Sequence, residues 1–233
     1  MKINIKEALE FFDEATRGRG HASAIVGVIG EDLNASAFKH YMEAQGAEVQ
    51  ILDTSVQQGL PGRGWGTGKR LDRWIYLKEK NGAKKLYQCE IKNWSATAIG
   101  GYSLGLKASE EEICKVARRR WKQQLGDFSQ DKGPNYISKV FAQMKIPAEY
   151  QEVRNVQPLM AYWMPVSHAG KLTPFFSVSK SKIGIKFATP FKALNIFSVS
   201  LYLRELMKQK HSHIDLDMPN AEKRIEILNS LIA

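Results

Sequence analysis

The chain has 233 residues, 43% hydrophobic and 25% charged, an ordinary globular balance that argues against a disordered chain. Lys plus Arg number 34 against 24 Asp plus Glu, and the net charge of +10 favours polyanionic partners, nucleic acid before an anionic membrane surface. Apolar runs such as Ala24 to Ile29 are far too short to span a bilayer, and Met1 to Phe12 lacks the apolar stretch of a secretory signal, so a cytoplasmic location is the default.

In chain order, Asn4 to Thr16 reads as a short amphipathic helix, stopped by Arg17 to Gly20. A second helix is expected from about Gly30 to Gln45, where Leu33, Ala37, Phe38 and Tyr41 recur at helical spacing, with Gly46 as its stop. Ala47 to Leu52 reads as a strand. Gln57 to Gly68 carries five glycines and one proline and reads as a loop rimmed by Arg63, Lys69 and Arg70. It is not a phosphate cradle: Arg63 stands where the P-loop needs its first glycine, and Gly68-Lys69 is followed by Arg70.

Two strands follow, Arg70 to Lys78 and Lys84 to Lys92, joined through Asn81-Gly82, a strong hairpin signal. Ala108 to Leu125 reads as a helix that Ser109 can cap, with Glu110 to Glu112 suited to its positive end. Leu159 to Val166 and Asn195 to Ser200 are further strand candidates, and Phe175 to Ser179 is a weaker one. Leu201 to Lys210 and Ala221 to Ile232 read as helices. The layout is a mixed α/β single domain over 1–233, with Asp127 to Pro147 as a candidate insertion.

The chemistry concentrates in Tyr87-Gln88-Cys89-Glu90-Ile91-Lys92. Strand alternation sends Tyr87, Cys89 and Ile91 toward the core and Gln88, Glu90 and Lys92 to the other face. A hairpin turning at Asn81-Gly82 places Asp72 opposite about residue 91, its carboxylate near Glu90 or Lys92. Two carboxylates at one point repel unless neutralised, and a hard divalent cation does this well. Lys92 could then orient the water that attacks a phosphodiester. The alternative is a surface ion pair on an exposed strand face.

Asp72 followed by Glu90-Ile91-Lys92 resembles the PD-(D/E)XK nuclease superfamily. The resemblance covers about Ala24 to Leu125, with Asn195 to Lys210 as a candidate last strand and helix. It departs from the family at Leu71, where a proline would precede the first acid. It implies a restriction-endonuclease-like mixed β-sheet core flanked by helices, with a C-terminal elaboration. It implies cleavage of DNA, less often RNA, with Mg²⁺ or Mn²⁺, Asp72 and Glu90 as metal ligands, and the Ile91 carbonyl as a third. Glu31, in Gly30-Glu31-Asp32-Leu33, is similar to the glutamate that many members carry on the preceding helix. The competing role for Glu31 is to stabilise its own helix start, and Asp32 competes for the assignment.

Gln88 shares the face of Glu90 and Lys92 and is a candidate site-lining residue. Arg63, Lys69, Arg70, Arg73, Arg118, Arg119 and Lys122 are candidates to hold a nucleic-acid backbone. For the Arg118 to Lys122 run the alternative is a solvated helix face. His211 and His213 with Asp215 and Asp217 lie between helices and read poorly as a metal site. Cys89 and Cys114 are too few for a disulfide framework and read as packed thiols. The rival functions are an inactive binding module or complex subunit on the same fold, and a protein-interaction or membrane-surface role driven by charge. Paired cuts on a duplex would favour a homodimer.

Overall fold

The structure is a computed structural model and describes residues 1–13, 29–52, 72–92, 104–124, 146, 148–168, 170–179 and 192–232. The Gln57 to Gly68 loop, the Arg17 to Gly20 stop and all of the candidate insertion except Ile146 lie outside them. Among the described residues, no helix is long and apolar enough to cross a membrane.

The chain opens with strand β1 (Lys2–Asn4) and helix α1 (Ile5–Asp13), then α2 (Glu31–Ala44), β2 (Glu48–Ile51), β3 (Arg73–Lys78), β4 (Lys84–Lys92) and α3 (Glu110–Gln124). A 3-10 turn at Ala148–Tyr150 leads to β5 (Val156–Tyr162), then the short β6 (Ser167–His168) and β7 (Lys171–Leu172), and β8 (Phe175–Ser179). β9 (Ala193–Ser198), α4 (Val199–Lys208), β10 (His213–Asp215) and α5 (Pro219–Ile232) complete it.

The described residues form a six-stranded mixed sheet in the order β2-β3-β4-β5-β9-β8. β4, β5 and β9 run parallel to one another, and the pairs β2/β3, β3/β4 and β8/β9 are antiparallel. The mixed α/β expectation holds. The sheet also extends through β5 and β8, a stretch that the expected core of about 24–125 plus 195–210 leaves out.

Strand alternation builds two cores on this sheet. On one face Val49, Ile75, Leu77, Tyr87, Cys89, Ile91, Leu159, Ala161 and Phe197 pack with α1, α2 and α4 through Leu9, Phe38, Leu203 and their neighbours. Phe38 anchors this layer, its ring 5.5 Å from Tyr87 and 5.3 Å from Phe197. On the other face Trp74, Leu86, Met160, Tyr162, Leu194 and Ile196 pack with Ile113 and Val116 of α3. With both faces covered, the polar side chains in the middle of β4, Gln88 and Glu90, are buried.

Local chemistry sets the ends. Gly46 takes φ +84° after α2, the left-handed stop that glycine supplies. Ser109 and Glu112 form a reciprocal capping box at α3: Glu112 N–H donates to Ser109 Oγ, and Ser109 N–H to Glu112 Oε2 at 2.7 Å. α4 begins two residues earlier than expected because Ser198 caps it, its Oγ accepting from Leu201 N–H. The β1/β10 pair is too short, at three residues a strand, to show a sequence pattern.

The hairpin corrects the expected register by one residue. Lys78 pairs with Lys84, so the connection is a three-residue loop, Lys80-Asn81-Gly82, closed between Glu79 and Ala83. Gly82 N–H donates to Glu79 C=O at 2.8 Å and Gly82 takes φ +80°, a turn followed by a left-handed residue. A Cβ at Gly82 would meet nothing within 4 Å, so only the backbone conformation opposes a substitution there. Gly82→Val is therefore expected to lower stability by about 1–2 kcal/mol, read as a lower urea midpoint with an unchanged slope.

Candidate functional site

β3 begins with Arg73 paired to Cys89, and continuing that register sets Asp72 across from Glu90. On β4 the residues Leu86, Gln88, Glu90 and Lys92 share one face, with Trp74 of β3 opposite Gln88. Tyr87, Cys89 and Ile91 take the other face, in the core against α2, as alternation predicts. Glu90 is only 6% exposed and the Lys92 side chain 12%. This excludes the alternative of an ion pair on an exposed strand face.

The three residues converge. Asp72 Oδ2 accepts the Ile91 N–H at 2.6 Å. Lys92 Nζ pairs with Glu90 Oε1. Trp163 N–H takes the Lys92 carbonyl on the β5 side, so alternation turns the N–H and C=O of Ile91 toward Asp72. Glu90 Oε2 is buried and has no hydrogen-bond partner among the described residues.

This is a site of excess negative charge. Burial pushes the Asp72 carboxyl up to about 7, and the Glu90 and Glu31 charges push the same way. The Ile91 N–H and the Lys92 ammonium pull against them without winning. The Cys89 thiol is held well above its ordinary value by full burial in the α2-side core, with the Asp72 and Glu90 charges adding to it, and is no nucleophile.

Arg73 corrects the sequence expectation. It does not reach outward to a phosphate backbone: it is 3% exposed, on the α2 face of the sheet. Its guanidinium donates to Asp32 Oδ1 at 2.6 Å, to Glu31 Oε2 at 3.2 Å and to the Asp72 carbonyl at 2.6 Å. Arg73 thus ties the first turn of α2 to the start of β3. Glu31 remains 41% exposed and acts on Asp72 through its charge. Asp32, the competing acid, is buried as the closer partner of Arg73. Strand alternation itself points to this role, since Arg73 must face away from Asp72's side.

The remaining candidates divide. Gln88 lies on the site face and is buried, with its Nε2 unpartnered. Arg118 is exposed on α3. The side chains of Arg119 and Lys122, and residues Arg63, Lys69 and Arg70, lie outside the described residues. His213 and Asp215 form the edge pair with β1, and Asp217 pairs with Lys39.

Among the described residues no three His, Cys, Asp or Glu side chains stand together as a metal cage. The donor set on offer is two carboxylates, Asp72 and Glu90, with the Ile91 carbonyl. Hard oxygens of this kind suit Mg²⁺, which takes one or two carboxylates and completes its shell with water and substrate phosphate. The bare Glu90 oxygen and the raised Asp72 carboxyl both fit a cation there. Compared with known proteins, the chain matches no family model, no curated protein and no solved structure.

Two predictions follow from the electrostatics. Because the folded state holds the Asp72 proton more tightly than the unfolded chain, this group's stabilising contribution is complete below about pH 4 and is lost as pH rises through about 7. Asp72→Asn cannot ionise, so without metal it should be more stable than wild type at pH 8, with the advantage vanishing toward pH 4 in thermal melts. Arg73→Met leaves Asp32 buried without its partner and should cost about 3–5 kcal/mol, measured by chemical denaturation.

Proposed function

We propose that the chain is a Mg²⁺- or Mn²⁺-dependent nuclease of the restriction-endonuclease-like fold that hydrolyses phosphodiester bonds in DNA. The observation that supports this most is the convergence of Asp72, Glu90 and Lys92 in one buried, negatively charged place. The net charge of +10 suits a polyanionic substrate.

In this reading Asp72, Glu90 and the Ile91 carbonyl hold the cation. When bound, it supplies charge neutralisation at the phosphate and a more acidic water. The chain's own groups do the rest. The Ile91 N–H fixes the Asp72 carboxylate. Lys92 exchanges its pairing with Glu90 for the attacking water or a phosphate oxygen, positioning the one and offsetting the charge of the other. Glu31 sets the field at Asp72 and is itself held by Arg73. Arg118 is the described candidate to meet a phosphate backbone.

One observation favours a second reading, a binding module on the same fold: the Lys92 ammonium is already engaged by Glu90. Incubating plasmid and single-stranded DNA with Mg²⁺ separates the two. Wild type should cut, and Glu90→Ala and Lys92→Ala should each lose roughly 100-fold or more in rate. Metal-dependent cutting that both variants retain would refute the assignment. Tight, salt-dependent DNA binding without cutting in any divalent metal would establish the binding module instead.

A further inference from the structure

Two unmatched polar atoms lie on the same face of β4. Among the described residues, Glu90 Oε2 is a buried acceptor with no hydrogen-bond partner, and Gln88 Nε2 is a buried donor with none. The two residues are one pleat apart, so their side chains stand side by side on the site face. Gln88 is 2% exposed, deeper than Glu90, and has Trp74 across from it on β3. The parallel neighbour at its level is Pro158, whose carbonyl already accepts from Asn195 Nδ2 at 3.1 Å.

An unmade hydrogen bond at each of these atoms costs about 1–3 kcal/mol, so both together are unusual in a well-packed core. They are complementary: one is an N–H and the other a carboxylate oxygen. Resting on the nuclease reading above, we propose that Gln88 is a positioning residue for Glu90. Its side-chain amide reaches the Glu90 carboxylate through one shared water, donating to that water, which donates to Oε2, and so orients the carboxylate toward the metal.

The division of labour follows from depth. Lys92, nearer the end of the strand, holds Glu90 Oε1, and Gln88, on the floor, addresses Oε2. Before substrate binds, the carboxylate is thus held from both sides in one orientation. Gln88 itself touches neither metal nor phosphate, since a neutral amide at the floor lies behind the carboxylate.

The test is the affinity for Mn²⁺, measured by calorimetry without nucleic acid, alongside thermal melts of the metal-free proteins. Gln88→Met keeps the length of the side chain and removes the donor, and Gln88→Leu serves as a second apolar variant should the first fold poorly. The inference expects Mn²⁺ binding weakened roughly tenfold or more in a variant whose metal-free melt is still a single cooperative transition. Affinity within about twofold of wild type in a folded variant would overturn it while leaving the nuclease reading standing. Wild type that binds Mn²⁺ no better than Glu90→Ala would instead sink the nuclease reading, and this inference with it.

Discussion

Two carboxylates are held on neighbouring strands in a place largely shut off from water, and the surrounding structure is arranged to tolerate that. Like charges about 4 Å apart repel by about 4 kcal/mol at an effective dielectric of 20. Asp72 meets this by retaining its proton to about pH 7 and by accepting the Ile91 N–H. Glu90 meets it through the Lys92 ammonium. A cation at the same point would relieve both, which is why the electrostatics and the proposed chemistry lead to the same atoms.

This convergence depends on register. Glu90 of β4 and Asp72, just before β3, meet only because the register presents them on the same face of the sheet. The three-residue Lys80-Asn81-Gly82 loop then sets Asp72 across from Glu90. A slip of one residue would turn every β4 side chain to the opposite face relative to β3 and bury Glu90 against α2. The geometry of a distant turn therefore decides whether the acids meet at all.

Much of this arrangement is legible in the sequence. The faces of Tyr87 to Lys92 follow from alternation alone, and α2, β8 and the hairpin follow from local pattern and glycine. The register is not fully legible, because Asn81-Gly82 is compatible with either a two- or a three-residue loop, and cross-strand packing selects between them. The β1/β10 pair is invisible because three-residue strands carry too little periodicity, and their partners are separated by nearly the whole chain. The place of β5 in the sheet depends on its parallel pairing with β4 and β9, a long-range contact that no local pattern encodes.

Arg73 shows how a residue type can mislead where its position does not. An arginine beside an acid in a basic chain suggests phosphate, and the net charge reinforces that impression. Yet if Asp72 faces the site, the adjacent Arg73 must face α2, where Glu31 and Asp32 open the helix. There the guanidinium neutralises acids that would otherwise add to the negative charge at Asp72. By holding the Asp72 carbonyl as well, it couples the start of α2 to the start of β3. The exposed Glu31 is thereby kept within electrostatic reach of the site yet outside its closest contacts. Its charge still helps to hold the Asp72 proton, after burial and the nearer Glu90.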